Sequence, residues 1–204
     1  SNREESKILV KWDYLQDDKS HTYVWDPRAE MRMEIETTNR DGKPVAKKSQ
    51  VLTAEQIAAR QLEVTLHSSC VYYKITLVTE AKNSPIGQGT GGILLKIASK
   101  GDYDKFRNRI ANGETELNAI LTANVSAGSD VLSNNSSKPY TGNFNGNGYQ
   151  LEFSVGSYNR NYLAPFVHVG NGFVVANLKT AGQLKSDNKF VAGLVAHPTD
   201  GIES

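Results

Sequence analysis

Two short stretches of the sequence resemble each other, and each begins with a Gly-Asn-Gly tripeptide. The first begins at Gly146 and the second 24 residues later at Gly170, and each continues with an aromatic residue and an alternating strand. A period of this size is typical of solenoids, in which each repeat is one turn of chain stacked on the next. A third, partial copy begins at Asp200, so we expect the coil to continue beyond the residues given. The repeat predicts an architecture and does not predict a reaction.

The composition excludes several classes of protein. The formal net charge is +1 and Lys47-Lys48 is the only adjacent basic pair, so charge gives no basis for binding nucleic acid or an anionic membrane. The single cysteine, Cys70, excludes an intrachain disulfide. The given residues contain no signal peptide, and no stretch approaches the roughly 20 apolar residues of a membrane span. The chain begins with Ser1 rather than Met, which we interpret as a processing or tag-cleavage scar.

The composition changes near residue 98. Residues 1–98 contain 27 of the 45 Asp, Glu, Lys and Arg residues but only three Asn and five Gly. Residues 99–204 contain the other 18 charged residues together with 14 Asn and 12 Gly. Such a shift predicts two domains. Asn and Gly both accept the left-handed backbone of tight corners, which is typical of a stacked coil.

The first half has the alternation of antiparallel strands. Residues 31–36 alternate apolar and charged side chains without a break, which predicts a strand with one buried face. Similar alternation predicts strands over residues 62–66, 73–77 and 93–97, with shorter candidates near residues 8–12 and 22–25. Residues 39–42 contain an Asp-Gly pair and predict a turn.

One short helix is predicted between these strands. Thr53 and Gln56 have the spacing of a capping box, and Leu52 and Ile57 have that of a hydrophobic staple. We expect this helix to end near Arg60 and to connect two sheets.

The segment between two of the predicted strands contains a Leu and a Tyr six residues apart, Leu66 and Tyr72. This spacing resembles the E–F corner of fibronectin-III and immunoglobulin-like domains, in which the tyrosine hydroxyl anchors the corner. Tyr73 shares the face of Ile75 and Leu77, so we interpret the corner as carrying one extra residue. With six or seven short strands at this spacing, the resemblance implies an Ig-like β-sandwich.

The second half begins with a predicted helix over residues 102–112. Ser99 or Asp102 caps it, and Gly113 stands where a helix-terminating glycine is expected. Its apolar residues fall on one face: Tyr103, Phe106 and Ile110. We predict strands near residues 117–125, 149–155, 162–168, 173–179 and 189–196, with a polar loop at residues 127–138.

The first Gly-Asn-Gly tripeptide belongs to a longer motif, Tyr-x-Gly-x-Phe-Asp-Gly-Asn-Gly-His-x-Ile. The chain matches it at Tyr140, Gly142, Phe144, Gly146, Asn147, Gly148 and Leu151. Later matches follow at Asn177, Leu178, Gly182, Gly193, Leu194 and Val195, with Ala196 in place of a final Gly. In this order the motifs resemble the helix-plus-β-helix segment of large surface proteins of gut Bacteroidetes, including those with GLUG-type repeats. Asn145 replaces the motif's Asp and Tyr149 its His, which disfavours a metal or acid–base role for this turn.

The residue types that act most often in catalysis and metal binding form no known motif in the sequence. No two of the four histidines are at helical spacing or in a Cys/His cluster, so we interpret them as exposed or strand-end residues rather than zinc ligands: His21, His67, His168 and His197. We interpret Cys70 as a partly buried structural thiol, and there is no Gly-x-Ser-x-Gly elbow. The glycine-rich residues 87–92 lack the Gly-Lys-Ser/Thr ending of a phosphate loop and predict a hairpin loop.

Glycan chemistry is a candidate function because right-handed β-helices often carry polysaccharide lyases and hydrolases. Their sites need carboxylates on adjacent coils, but the acidic residues of the second half concentrate at its helix, and the repeat strands carry Glu152 and little else. Four tyrosines are a sugar-stacking platform if exposed together, although we favour positions in the solenoid core and corners: Tyr140, Tyr149, Tyr158 and Tyr162.

We therefore predict a mostly β chain, with an Ig-like β-sandwich over residues 1–98. Residues 99–204 are predicted to form a capping helix and the first coils of a truncated right-handed parallel β-helix. The resemblance implies an exported outer-surface adhesin or binding scaffold, an outer-membrane lipoprotein anchored through a missing N-terminus, with a host glycan or matrix protein as partner.

Two alternatives stay open: a part of a polysaccharide-degrading lyase or glycoside hydrolase, and a spacer that displays other domains. We predict no catalytic residue, no metal, no cofactor and no nucleic-acid partner, and we leave the ligand-binding residues unassigned.

Overall fold

The structure is a computed structural model that describes residues 6–14, 21–66, 71–80, 92–187 and 190–198. Half of the described residues are in strands and 11% are in helices, which confirms the prediction of a mostly β fold. The described residues before the second helix form seven strands and one helix: β1 (Ser6–Lys11), β2 (Tyr23–Trp25), β3 (Glu30–Thr38), β4 (Pro44–Val51), α1 (Ala54–Ala59), β5 (Gln61–Leu66), β6 (Tyr72–Glu80) and β7 (Ile93–Ile97).

Two antiparallel sheets bury their apolar faces in one hydrophobic cluster. The first has the strand order β4-β3-β6, and the second pairs β1 with β5. Alternate residues of β3 are buried, as predicted, at Met31, Met33 and Ile35. They share the cluster with Val64 and Leu66 of β5. The predicted strands over residues 31–36, 62–66, 73–77 and 93–97 are all present.

Helix α1 forms as the capping residues predict. The Thr53 side chain accepts a hydrogen bond from the Gln56 amide, and the Gln56 side chain accepts one from the Thr53 amide. Leu52 and Ile57 are both buried in the first cluster. Arg60 ends the helix in the left-handed conformation, with φ of 52°.

The predicted corner between β5 and β6 lies partly outside the described residues, at 67–70. Its proposed anchor, Tyr72, is 60% exposed, and Tyr73 is 52% exposed.

Strands β2 and β7 connect the two halves of the chain. They pair antiparallel with each other, and β7 also pairs in parallel with the first strand after the second helix. Leu95 and Ile97 of β7 are buried in a second hydrophobic cluster, together with residues from the C-terminal half. The second core therefore includes residues that precede position 98.

The C-terminal half begins with helix α2 and continues with ten short strands among its described residues. Their bounds are α2 (Lys100–Ala111), β8 (Ala119–Leu121), β9 (Val125–Gly128), β10 (Asn143–Asn145), β11 (Gln150–Val155), β12 (Tyr162–Leu163), β13 (Phe166–Val169), β14 (Val174–Ala176), β15 (Lys179–Leu184), β16 (Phe190–Val191) and β17 (Val195–Pro198).

The predicted apolar face of α2 is buried against the second cluster. Ser99 caps the helix by accepting a hydrogen bond from the Asp102 amide, and Tyr103, Phe106 and Ile110 are fully buried. The Phe106 ring contacts the ring of Tyr140 at a centroid distance of 5.8 Å. Helix α2 thereby covers the aromatic interior of the C-terminal half.

Successive passes of the chain pair in parallel and in register. Strand β10 lies between β8 and β14, β11 lies between β9 and β15, β12 pairs with β16, and β13 pairs with β17. Phe144 is paired with Ala119, 25 residues earlier, and Asn143 with Val174, 31 residues later. One pass therefore occupies about 25 to 31 residues, and its length varies.

The expectation that the 24-residue interval between the Gly-Asn-Gly tripeptides is one coil is wrong. The Gly146 amide donates to the Ala176 carbonyl at 2.8 Å, whereas the Gly170 amide donates to the Tyr140 carbonyl at 2.9 Å. The two tripeptides are therefore different corners of the same pass, the first between β10 and β11 and the second between β13 and β14. Their role as corners is confirmed, since Asn147 has a φ of 51°. The partial copy at Asp200 lies outside the described residues.

No helix among the described residues is long and apolar enough to cross a membrane.

Candidate ligand-binding cleft

An open cleft of about 260 Å³ lies where β12, β13 and β17 meet. Strand β13 contributes His168, and its parallel partner β17 contributes His197. The remaining lining comes from β12 and β13 and from two loops: Asn134, Ser136, Arg160, Asn161, Tyr162 and Val167. Polar, cationic and aromatic groups therefore face one open space.

The two histidines contact each other because the strand register pairs them directly. Their Nδ1 atoms are 3.4 Å apart, and their ring centroids are 5.2 Å apart at an interplanar angle of 70°. His168 is only 7% exposed. Burial, together with the charges of His197 and Arg160, lowers the pKa of His168. The His168 imidazole is therefore neutral at pH 7.

An aromatic ladder forms the wall next to this pair. The ring of Tyr162 stacks on that of Phe190 at 5.1 Å and 16°, because β12 and β16 pair in parallel. The same ring lies 5.7 Å from His168 and 4.7 Å from His197. The ladder fixes the orientation of Tyr162 before any ligand arrives.

Arg160 supplies the positive charge of the cleft. Its guanidinium donates to the main-chain carbonyl of Asn134 at 3.0 Å. None of the described residues that line the cleft is Asp or Glu. The lining suits a neutral or anionic polar ligand with an apolar face, and it does not offer a pair of carboxylates for acid–base chemistry.

Asp104 of α2 and Asp130, in the turn after β9, form ion pairs instead. The Lys100 ammonium contacts Asp104 at 2.8 Å and Asp130 at 2.9 Å, and Arg107 lies 3.4 Å from Asp130. The hydrogen bond from Lys100 lowers the pKa of the Asp130 carboxyl, which opposes its use as a general acid. The network attaches α2 to the turn after β9. Glu152 is exposed on β11.

One of the two positions at which the chain departs from the Bacteroidetes motif is buried. Asn145 is fully buried, and its amide nitrogen lies 3.4 Å from a carboxylate oxygen of Asp26, which is also fully buried. The Arg28 guanidinium pairs with that carboxylate at 2.8 Å. Asn145 also accepts a hydrogen bond from the Asn147 amide, so it joins the corner to the first half of the chain.

The four tyrosines do not form one platform, the alternative that the sequence disfavoured. Tyr140 is fully buried, as favoured from the sequence, and its hydroxyl donates to the Leu117 carbonyl at 2.7 Å. Tyr158 packs against the second cluster, and Tyr149 is 37% exposed. Of these tyrosines, only Tyr162 lines the cleft.

The interpretation of the histidines as exposed or strand-end residues is wrong for two of them. His21 is 1% exposed and contacts the Arg109 guanidinium at 3.3 Å, and His168 is buried within β13. Sequence reasoning missed the pairing of His168 with His197, whose signal is the apolar residue two positions before each histidine, Phe166 and Val195. His67, Cys70 and residues 87–91 lie outside the described residues.

Across the described ranges, no three or more His, Cys, Asp or Glu side chains lie close enough together to hold a metal ion. Comparison with models of known families, with curated proteins and with solved structures found no match to this chain.

Proposed function

We propose that the chain is a non-catalytic binding scaffold exposed on the outer surface of a bacterial cell, with a carbohydrate ligand in the cleft around Tyr162. Host glycans and glycosylated matrix proteins are the partners that this chemistry favours. The resemblance to Bacteroidetes surface proteins supports the proposed location, and the composition of the cleft supports the proposed ligand class.

The architecture proposed for this scaffold is an Ig-like sandwich followed by a right-handed parallel β-helix. The two antiparallel sheets around Met33 support the first part, and the parallel, in-register passes from β8 to β17 support the second. Parallel stacking places side chains from successive passes side by side, which gives an extended surface for a polymeric ligand.

The observation that carries the binding function is the composition of the cleft lining. An aromatic ring fixed by stacking lies beside amide, hydroxyl, imidazole and guanidinium groups. Binding sites for small polar molecules combine apolar or aromatic walls with a few convergent polar groups in this way. Sugars match such a lining, because they present hydroxyl groups around an apolar ring face.

The test is a glycan and matrix-protein binding screen with the full chain, followed by titration of any ligand found. Tyr162→Ala is expected to weaken binding about thirtyfold, the loss of about 2 kcal/mol typical of a central aromatic contact. Tyr149→Ala is the matched control, because this tyrosine is partly exposed and lies outside the cleft lining.

Three results would contradict the proposal. Equal weakening of binding in both tyrosine variants would show that the ligand binds outside the cleft. Binding to nothing in the screen would favour a spacer. Release of reducing or unsaturated sugar from a polysaccharide would favour the enzyme alternative.

A further inference from the structure

We propose that His168 and His197 together form a two-imidazole site for Zn²⁺ or a similar borderline divalent ion at the floor of the cleft. The site goes beyond the proposed function and does not rest on it, since metal binding is measured without any glycan.

The distances between the two imidazoles match those of a shared metal ligand set. Two Zn–N bonds of about 2.05 Å at a tetrahedral angle of about 109° place the nitrogens about 3.3 Å apart. The observed separation of the Nδ1 atoms is 3.4 Å.

The ring centroids provide a second, independent comparison. Each centroid lies about 1.15 Å behind its nitrogen, so rings aimed at one tetrahedral ion have centroids about 5.2 Å apart. The observed centroid distance is 5.2 Å. Rings aimed directly at each other across the same nitrogen separation would have centroids about 5.7 Å apart on this geometry. Both distances therefore match two imidazoles bound to one ion better than two imidazoles aimed at each other.

The chemistry and placement of the two side chains also suit a metal. A histidine binds metal through a neutral imidazole nitrogen, the form that an imidazole of ordinary pKa takes at pH 7. Contacts with the Tyr162 ring, edge-on for His168 and tilted for His197, hold both rings in place. The ligands are thus oriented without the metal, which reduces the entropy cost of binding it.

The rest of the coordination shell faces the open cleft. Its volume of about 260 Å³ has room for several waters, each taking about 30 Å³. Asn161 and Ser136 line the same space and offer oxygen atoms for hydrogen bonds to such waters. Two protein nitrogens with open positions give a weaker site than a closed structural zinc site.

Replacing Arg160 shows whether the cleft binds a cation or an anion, because the positive charge of this residue repels a cation and attracts an anion. Replacing it with Gln should strengthen Zn²⁺ binding by about twofold or more. An anion-binding cleft would respond in the opposite direction.

The experiment is calorimetric titration of the untagged full chain with ZnCl₂, in a Cys70→Ser background that removes the thiol as a competing ligand. Co²⁺ replaces Zn²⁺ in a parallel titration, because its visible absorption reports tetrahedral coordination. We expect one ion per chain, with affinity lowered at least tenfold in His197→Phe and in His168→Phe. Mutating a residue that only hydrogen-bonds to a metal ligand typically lowers the metal affinity by roughly 10- to 100-fold. Losing a direct ligand should lower the affinity by at least as much.

The Phe variants keep a ring against Tyr162 and remove only the nitrogen donors. His197 is half-buried, so His197→Phe carries the test even if His168→Phe does not fold by circular dichroism. His21→Gln is the histidine control and should bind as the parent does. Absence of Zn²⁺ binding, unchanged affinity in His197→Phe, or weaker binding in Arg160→Gln would each overturn the site.

Discussion

The Gly-Asn-Gly corner at residues 146–148 contains two glycines that the structure requires for different reasons. A Cβ at Gly146 would lie 2.3 Å from the Leu178 Cα and 2.5 Å from the Asn177 carbonyl oxygen, both in the backbone of the next pass. A Cβ at Gly148 would meet nothing within 4 Å, but its φ is +79°. Gly146→Ala is therefore a steric test of coil stacking, and Gly148→Ala tests backbone strain alone.

The expected losses of stability follow from these distances. To bring the new Cβ of Gly146→Ala to an ordinary contact, the two corners must separate by about 1 Å. That shift weakens two hydrogen bonds of 2.8 Å, from the Gly146 amide to the Ala176 carbonyl and from the Gly148 amide to the Asn177 carbonyl. Overpacking at about 1–3 kcal/mol and two weakened hydrogen bonds at about 1 kcal/mol each give a net destabilisation of about 3 kcal/mol.

The loss expected for Gly148→Ala is smaller. The left-handed conformation costs a residue with a Cβ about 1–2 kcal/mol, and the reduced entropy of the unfolded chain returns about 0.4–1 kcal/mol. The net loss is about 1 kcal/mol. For a chain of this size the two losses correspond to about 6–12 °C and about 2–4 °C in Tm.

Urea and thermal unfolding followed by far-UV circular dichroism and tyrosine fluorescence would measure both variants. Tryptophan fluorescence reports on the first hydrophobic cluster, because Trp12 and Trp25, the only tryptophans of the chain, both pack against it. Equal destabilisation by the two variants, or a greater loss in Gly148→Ala, would refute the stacking of this corner on Asn177 and Leu178.

Two further substitutions test the buried polar contact and the first helix. Asn145→Asp places a second carboxylate about 3.4 Å from Asp26 in a fully buried site, and we expect a loss of about 3 kcal/mol at pH 7. Burial and the like charge raise the pKa of the new carboxyl above its unfolded value of about 3.9, so the loss of stability should be small near pH 4 and grow as the pH rises. Urea titrations that give the same loss at about pH 4 and about pH 7 would contradict this. Thr53→Ala removes the acceptor for the Gln56 amide and should lower the free energy of unfolding by about 1 kcal/mol, measured by tryptophan fluorescence. The conservative Thr53→Ser should lower it little. A similar loss in both variants would show that the cap is not the cause.

Local patterns in the sequence predicted local structure well. The alternation at Met31, Met33 and Ile35 gave the correct buried face of β3, because a strand with one buried face requires that period. The capping box at Thr53 and the apolar face of α2 were likewise correct, since both depend on residues within one or two helical turns.

Contacts between distant segments were not predicted. The position of β7 in the second core depends on its parallel pairing with β8 across helix α2. The proximity of Asn145 and Asp26 depends on contacts across 119 positions of the chain. Neither leaves a trace in residue spacing, because spacing records only neighbours that lie on the same element.

The mistaken coil period and the missed histidine pair have one physical cause. Corners of this coil vary in length, so the interval between paired residues is 25 between β8 and β10 but 31 between β10 and β14. Two similar corners of one pass then imitate a repeat, while His168 and His197 appear unrelated at a spacing of 29. Parallel strands place residues at the same register position side by side on one face, whatever the length of the corners between them. The informative comparison is therefore between strands: Phe166 precedes His168 by two residues, as Val195 precedes His197, and that shared pattern identifies the one pair of imidazoles that the coil brings together among its described residues.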